Sequence, residues 1–237
     1  RNCERVWRSE VDELHVLVNG WSGATGRAYL ARRLDQLDAR ATFHDARLGH
    51  GTALEVLLRA SAADQVLLCE DDAYVRRRGV VRNVFRVQRD TGKVLASPRG
   101  GMSPEVAEAA LARWEPVRGP DGSEGHGMWP CFLFASRQAL LEVADGFEAR
   151  TWRRGDVIPG VEHTCTAEMT TDTFTLAAFM LRDRYRVLLV PQHKELWQKQ
   201  LPTASSPPWF HAGGLSNLRE GGEWTAPTDV GGSNEGL

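Results

Sequence analysis

Two hydrophobic rhythms alternate along the first half of the chain. An aliphatic, β-branched run at 14–18 ends in Asn19-Gly20 and predicts a buried strand. Leu30, Leu34 and Leu37 then recur at i, i+4 and i+7 as one face of a helix, and 41–43 reads as a short strand. Leu54, Leu57 and Leu58 mark a second helix face, and 65–69 a third strand. Strands separated by helices of this length predict right-handed crossovers and a mainly parallel sheet, with ligands gathered at the carboxyl ends of its strands. Past Asp72 the pattern predicts a helix at 80–87, a strand at 93–96 and a helix at 105–114 opened by Ser103-Pro104. A polar, glycine-rich loop at 119–127 follows. Then come a strand at 131–135, a helix at 138–143, an apolar helix at 173–182 and a strand at 186–190. From Gly213 onward Gly, Ser and Pro dominate, which predicts a flexible tail. No internal repeat is present.

Composition narrows the class. With 237 residues, 42% hydrophobic and 25% charged, the chain is long enough for a sizeable core, and disorder, collagen and coiled coil are excluded as overall classes. A net charge of -2 supplies no global field for nucleic acid, so contact with a polyanion would need a local patch. Of the 29 basic residues only Lys93, Lys194 and Lys199 are lysines, which removes most chemistry that depends on an amine. No apolar run approaches the ~20 residues of a membrane helix, and Arg1, Glu4, Arg5, Arg8 and Glu10 do not form a signal peptide. The expectation is a soluble, cytoplasmic protein without integral membrane contact. Cys3, Cys69, Cys131 and Cys165 form no C-x-x-C pair, and Cys69 and Cys131 read as buried thiols.

The chemistry concentrates at a few places. The strand at 65–69 runs into Glu70-Asp71-Asp72, with Glu70 and Asp72 on one side of the strand and Asp71 on the other. Three carboxylates at the end of a strand repel one another unless a cation compensates, and an oxygen-rich cluster suits Mg²⁺ or Mn²⁺. A solvated acidic loop is the plainer alternative. Asp172, just before the apolar helix, is either its N-cap or a general base. His211, in Trp209-Phe210-His211-Ala212-Gly213-Gly214, is either structural or a metal ligand completing the acidic triplet. His163 and Cys165 lack partners at zinc spacing. Gly20, Gly23 and Gly26 match neither G-x-G-x-x-G nor a Walker loop, with Arg27 where a lysine is needed. Trp129, Trp152, Trp197 and Trp209 could stack on sugars or bases or fill a core.

With these residues in view, the chain resembles the nucleotide-sugar-dependent glycosyltransferases of the GT-A fold, especially inverting family 2. Arg47-Leu48-Gly49-His50-Gly51-Thr52-Ala53-Leu54 looks like that family's Asn-x-Gly segment, and Glu70-Asp71-Asp72 stands where its DxD-type motif binds metal and diphosphate. The stretch 127–147 looks like its acceptor-side segment, and Thr171-Asp172 with the following helix like its catalytic Glu-Asp segment. The first acid of the triplet is Glu and the residue before Asp172 is Thr, both departures from the family pattern.

The resemblance implies a Rossmann-like α/β fold, a mainly parallel central sheet flanked by helices in a single domain. It implies a glycosyltransferase domain at 1–212, with a nucleotide-sugar half at about 11–100 and an acceptor half at about 101–212, each within ordinary domain size. It further implies that Asp72, with Glu70 or Asp71 and His211, holds Mn²⁺ or Mg²⁺ against the diphosphate of a nucleotide-diphosphate sugar. Asp172 would then deprotonate an acceptor hydroxyl, with inversion. Arg47 would offset phosphate charge. Asn19 and Asp45, at the ends of the first two strands, are candidates for base or ribose. The acceptor stays open among polysaccharide, natural product, protein and modified DNA. Three alternatives stand beside this expectation: a sugar-phosphate nucleotidyltransferase, a retaining GT-A enzyme and a non-catalytic carbohydrate-binding relative.

Overall fold

The apolar run at 131–135 is the middle of the longest strand, and the rest of the main sheet is built against it. The computed structural model describes residues 3–20, 23–70, 73–99, 104–115, 117–118, 124–125, 127–189 and 209–211. After a π-helical turn at Cys3–Trp7 and a 3-10 turn at Arg8–Glu10 come β1 (Leu14–Asn19), α1 (Ala24–Asp35), β2 (Ala39–His44), α2 (His50–Ala60) and β3 (Gln65–Cys69). Next are β4 (Ala73–Val75), α3 (Val80–Thr91), β5 (Val94–Arg99), α4 (Pro104–Arg113), β6 (Val117–Arg118), β7 (Glu124–Gly125) and β8 (Gly127–Ser136). The chain continues through α5 (Arg137–Leu141), β9 (Arg150–Trp152), β10 (Val157–Ile158), β11 (His163–Thr164), β12 (Met169–Thr171), α6 (Thr175–Arg184), β13 (Val187–Leu189) and β14 (Trp209–His211).

The four-stranded sheet has the order β13-β5-β8-β3. Strand β13 is parallel to β5, and β8 is antiparallel to both β5 and β3, so three strands share one direction and β8 alone is reversed. β1 and β2 form a separate parallel pair in register from Leu14↔Ala39 to Asn19↔His44. The fold is a single-domain α/β arrangement of parallel strands flanked by helices. Strand β8 reads as a continuous apolar run because both its faces are covered. Leu133 and Ala135 belong to one core cluster with Leu58, Phe147 and Phe174, whereas Phe132 and Phe134 belong to another with Trp7, Val75 and Val81. Among the described residues no helix is long and apolar enough to cross a membrane.

Three helices depart from the sequence expectation: α5 runs over Arg137–Leu141 rather than 138–143, and α3 and α6 differ for physical reasons. α3 continues to Thr91 because Gln88, which reads as polar surface, is buried, and Gly92 in the left-handed region (φ 64°) closes the helix by donating to the Gln88 carbonyl at 2.8 Å. α6 begins at Thr175 rather than 173, because Phe174 adopts φ 66° and interrupts the helical backbone before it. Residues 190–208 and the tail from 212 lie outside the described residues. None of the four cysteines is in a disulfide; Cys131 and Cys165 are buried and Cys69 only partly so.

Candidate functional site

The carboxyl ends of β1, β2 and β3 carry most of the residues that sequence reasoning selects. Asn19 ends β1, and its side chain is engaged by the loop beyond β2: Nδ2 donates to the Leu48 carbonyl at 3.0 Å and Oδ1 accepts from the Leu48 N–H at 2.7 Å. Asn19 therefore acts first as a clamp on the segment that leads into α2. Gly20, at φ 74°, lets that segment approach: a Cβ there would lie 3.1 Å from the Arg47 Cβ. Arg47 is exposed on the same loop. Asp45 accepts from Arg27 Nη1 at 2.5 Å, and the Arg27 guanidinium lies 4.8 Å from the Phe43 ring centroid, so α1 and β2 jointly orient this carboxylate.

β3 delivers Glu70 to the same rim. The Glu70 side chain is largely buried, and its Oε1 lies 3.3 Å from Nε2 of His50, the first residue of α2. Asp71 and Asp72 lie outside the described residues. β14 pairs antiparallel with β4 in the register His211↔Ala73, which brings the main chain of His211 opposite the first described residue after the acidic triplet. These positions are 138 apart in sequence. Among the described residues no three His, Cys, Asp or Glu side chains gather as a metal cluster. By residue type, the carboxylates of Glu70-Asp71-Asp72 and a histidine imidazole are donors of the hardness that Mg²⁺ or Mn²⁺ requires.

The N-terminus of α2 is already occupied by an anion from within the chain. Glu148 Oε1 accepts from the Thr52 N–H at 2.6 Å and from the Thr52 hydroxyl at 2.5 Å. The Thr52 hydroxyl is the largest cause of a lowered Glu148 pKa, helped by the Thr52 and Gly51 N–H groups and by nearby His50. A helix start is where a phosphate would otherwise be favoured, and here the Glu148 carboxylate takes that place. Gly49 and Gly51 permit the approach. A Cβ on Gly49 would sit 2.5 Å from the Glu148 carboxylate, and one on Gly51 would sit 2.5 Å from the Phe147 carbonyl oxygen and the Glu148 nitrogen.

The same short segment reaches the second candidate. Phe147 accepts at its carbonyl from the Phe174 N–H at 2.9 Å, and the two rings lie 5.1 Å apart. Asp172 is exposed at the end of β12; its Oδ1 accepts from the Thr173 N–H at 2.7 Å and its carbonyl from the Thr175 N–H at 3.1 Å. The residue directly before α6 is Phe174, so Asp172 is not at the N-cap position that the sequence suggests. The neighbouring Thr171 is buried and accepts from Trp152 Nε1 at 2.9 Å, which fixes β12 against β9. Trp152 thus fills the core. The side chains of Trp129 and Trp209 are not described, and Trp197 lies outside the described residues.

His50 and Glu148 are the two site residues that sequence reasoning did not select for a role. His50 was visible within the Asn-x-Gly-like segment. Glu148 contacts Thr52 across 96 positions and carries no local signal. His163 and Cys165 serve elsewhere. Glu105 Oε1 accepts from His163 Nε2 at 2.8 Å and from the Thr166 N–H and hydroxyl at 2.9 Å each, while Cys165 is buried and its thiol pKa is raised by that burial.

No family model and no curated protein matches the chain. Among solved structures, a nucleotidyl transferase from Methanothermobacter thermautotroptrophicus is similar at 17% identity and a TM-score of 0.45, over 80% of this chain and 67% of that one.

Proposed function

We propose that the chain is a nucleotide-dependent transferase, and specifically that it moves a sugar from a nucleotide-diphosphate sugar to an acceptor hydroxyl. The observation that carries this reading is the pairing of β14 with β4, which aligns His211 with the residue after Glu70-Asp71-Asp72. An acidic strand end and a distant histidine brought to one place suit a divalent-cation site. Asp72, Glu70 and His211 would hold the ion, with Asp71 as a further oxygen donor beside the diphosphate. A bound Mn²⁺ or Mg²⁺ supplies charge neutralisation for the departing diphosphate.

Around that centre the chain's own residues divide the remaining work. Arg47, exposed on the loop that Asn19 clamps, offers a planar fork to phosphate oxygens. Asn19 and Asp45, at the ends of β1 and β2, would lie beside the base and ribose. Asp172 accepts the proton of the acceptor hydroxyl as its oxygen forms the new bond to the anomeric carbon and the bond to the diphosphate oxygen breaks, which gives inversion. The exposed position of Asp172 leaves an acceptor able to reach it. The domain is proposed to run over 1–212, with donor and acceptor halves meeting at about 100, a length usual for one catalytic domain.

A nucleotidyltransferase is the rival within the same broad class, and the three lysines of the chain count against it because that chemistry ordinarily uses a lysine at the phosphates. One experiment separates the readings. The protein is incubated with a panel of nucleotide sugars and Mn²⁺, and in parallel with nucleoside triphosphates and sugar phosphates. Release of nucleoside diphosphate from the first set, abolished by chelator and by Asp72→Asn, supports glycosyl transfer. Release of pyrophosphate from the second set would replace it with nucleotidyl transfer, and turnover indifferent to chelator would remove the metal.

A further inference from the structure

The net charge of the chain is -2, yet its arginines are not evenly spread. Arg76, Arg77 and Arg78 lead into α3, and Arg82, Arg86 and Arg89 follow at i, i+4 and i+7 on that helix. All of these except Arg76 are exposed. The opposite face of α3 is pinned: Val81 is fully buried, Val84 and Phe85 pack on the core, and the Phe85 ring meets Phe134 edge-on at 5.1 Å. The helix therefore cannot turn its arginines inward.

Among the described residues, the carboxylates near α3 leave the charge of Arg82 and Arg86 uncompensated. Glu10 is spent on the Gly79 and Arg82 main-chain N–H groups at the start of α3, and Asp90 sits 3.6 Å from Arg89. Arg78 donates to the Arg5 carbonyl, an uncharged partner. Among the described residues, Arg82 and Arg86 have no carboxylate within ion-pair distance of their guanidiniums.

We propose that this face binds the phosphodiester backbone of nucleic acid. The stripe from Arg82 to Arg89 spans about 10 Å at ~1.5 Å per helical residue, comparable with the rise of three nucleotides, about 3.4 Å each along the duplex axis. Guanidinium forks suit phosphate oxygens, and every cation here is an arginine. A membrane-lying helix needs large apolar side chains beside its basic stripe. In α3 only Val87 is exposed among the apolar residues, at 37%, which favours a polyanion over a lipid surface. This face begins just beyond β4, and its binding is independent of the transfer reading because it requires neither donor nor metal.

The test is fluorescence anisotropy of the full chain with a labelled mixed-sequence DNA duplex, without nucleotide sugar, between about 50 and 200 mM salt. Binding should weaken linearly in log–log form as salt rises. The combined Arg82→Gln, Arg86→Gln and Arg89→Gln variant should lose about 2.7 of the slope, at ~0.9 per phosphate contact, with an unchanged melting temperature. If that variant melts early, Arg86→Gln alone should lose about 0.9. Absence of binding at the lowest salt, an unchanged slope in the variants, or arginine-dependent binding that favours phosphatidylserine vesicles over the duplex would each overturn the proposal.

Discussion

Removing the Glu148 carboxylate tests the hub on which both halves of the candidate site lean. In Glu148→Ala the Thr52 N–H and hydroxyl lose their acceptor, and α2 loses the anion at its positive end. Loss of a cap costs about 0.5–2 kcal/mol, and loss of a dipole partner about 0.3–1 kcal/mol. These hydrogen bonds are solvent-accessible, so water replaces part of each, and the combined cost falls near 1 kcal/mol. In a chain of this size that lowers the melting temperature by about 2–4 °C. Glu148→Gln separates the two contributions, because its amide oxygen still accepts from Thr52 while the charge is gone; it should lose about half as much. The pH dependence has a definite sign. The folded pKa of Glu148 is lowered, so its contribution is complete above the unfolded value near 4.5 and disappears as pH falls through the folded value. Thermal melts of wild type and Glu148→Gln should differ at pH 7 and converge as the pH falls through the folded value. Equal melting temperatures at pH 7, or a gap that persists in acid, would refute the argument.

Asp172→Asn keeps the oxygen that accepts from Thr173, so the melting temperature should hold while transfer falls by about 10²- to 10⁴-fold with donor affinity intact; near-normal transfer would leave Asp172 a structural residue. Gly51→Ala forces a Cβ against the main chain of Phe147 and Glu148, and should destabilise by about 1–3 kcal/mol in a denaturant titration; a neutral result would mean that this approach is looser than described. Glu105 is held ionised down to about pH 2, chiefly by the Thr166 N–H and then by His163 and the Thr166 hydroxyl. Its contribution is therefore present above about 4.5 and fades as pH falls towards 2. Glu105→Gln should speed amide exchange at Thr166, and unchanged protection there would discount the clamp.

The parts of the fold that the sequence announces are those where one periodicity runs long enough to be read. Strand 65–69 appears with the bounds expected, and Pro104 opens α4 as its position before an apolar run implies. Strands β4, β6, β7, β9–β12 and β14, of two or three residues each, are too short for alternation to register, and β4 finds its partner only at His211↔Ala73, 138 positions away. The reversal of β8 is likewise invisible in its composition, since a strand covered on both faces reads the same in either direction. Of the candidate site, Glu70, Asn19 and Asp45 were legible as strand-end polar residues. Their local duties were not: Asn19 holds Leu48, and Asp45 meets Arg27. Phe174 hides the helix start at Asp172 because a left-handed phenylalanine is a tertiary outcome, imposed by its buried ring and its hydrogen bond to Phe147.

These tertiary details converge on residues 146–148. Gly146 admits α6, with a Cβ there lying 2.7 Å from the Ala177 nitrogen; Phe147 holds Phe174; and Glu148 caps α2 beside His50, which in turn faces Glu70. The starts of two helices far apart in sequence are thus positioned by three consecutive residues. The carboxylates of Glu70 and Asp172 are each only a few contacts removed from that segment. In the proposed reaction a rigid connection of this kind would keep Glu70 and Asp172 at a fixed separation without touching each other, as in-line transfer between two bound substrates demands. It also means that substitutions at Gly51 or Glu148, neither of which would contact substrate in the proposed reaction, should alter rate and stability together, whereas Asp172→Asn should alter rate alone.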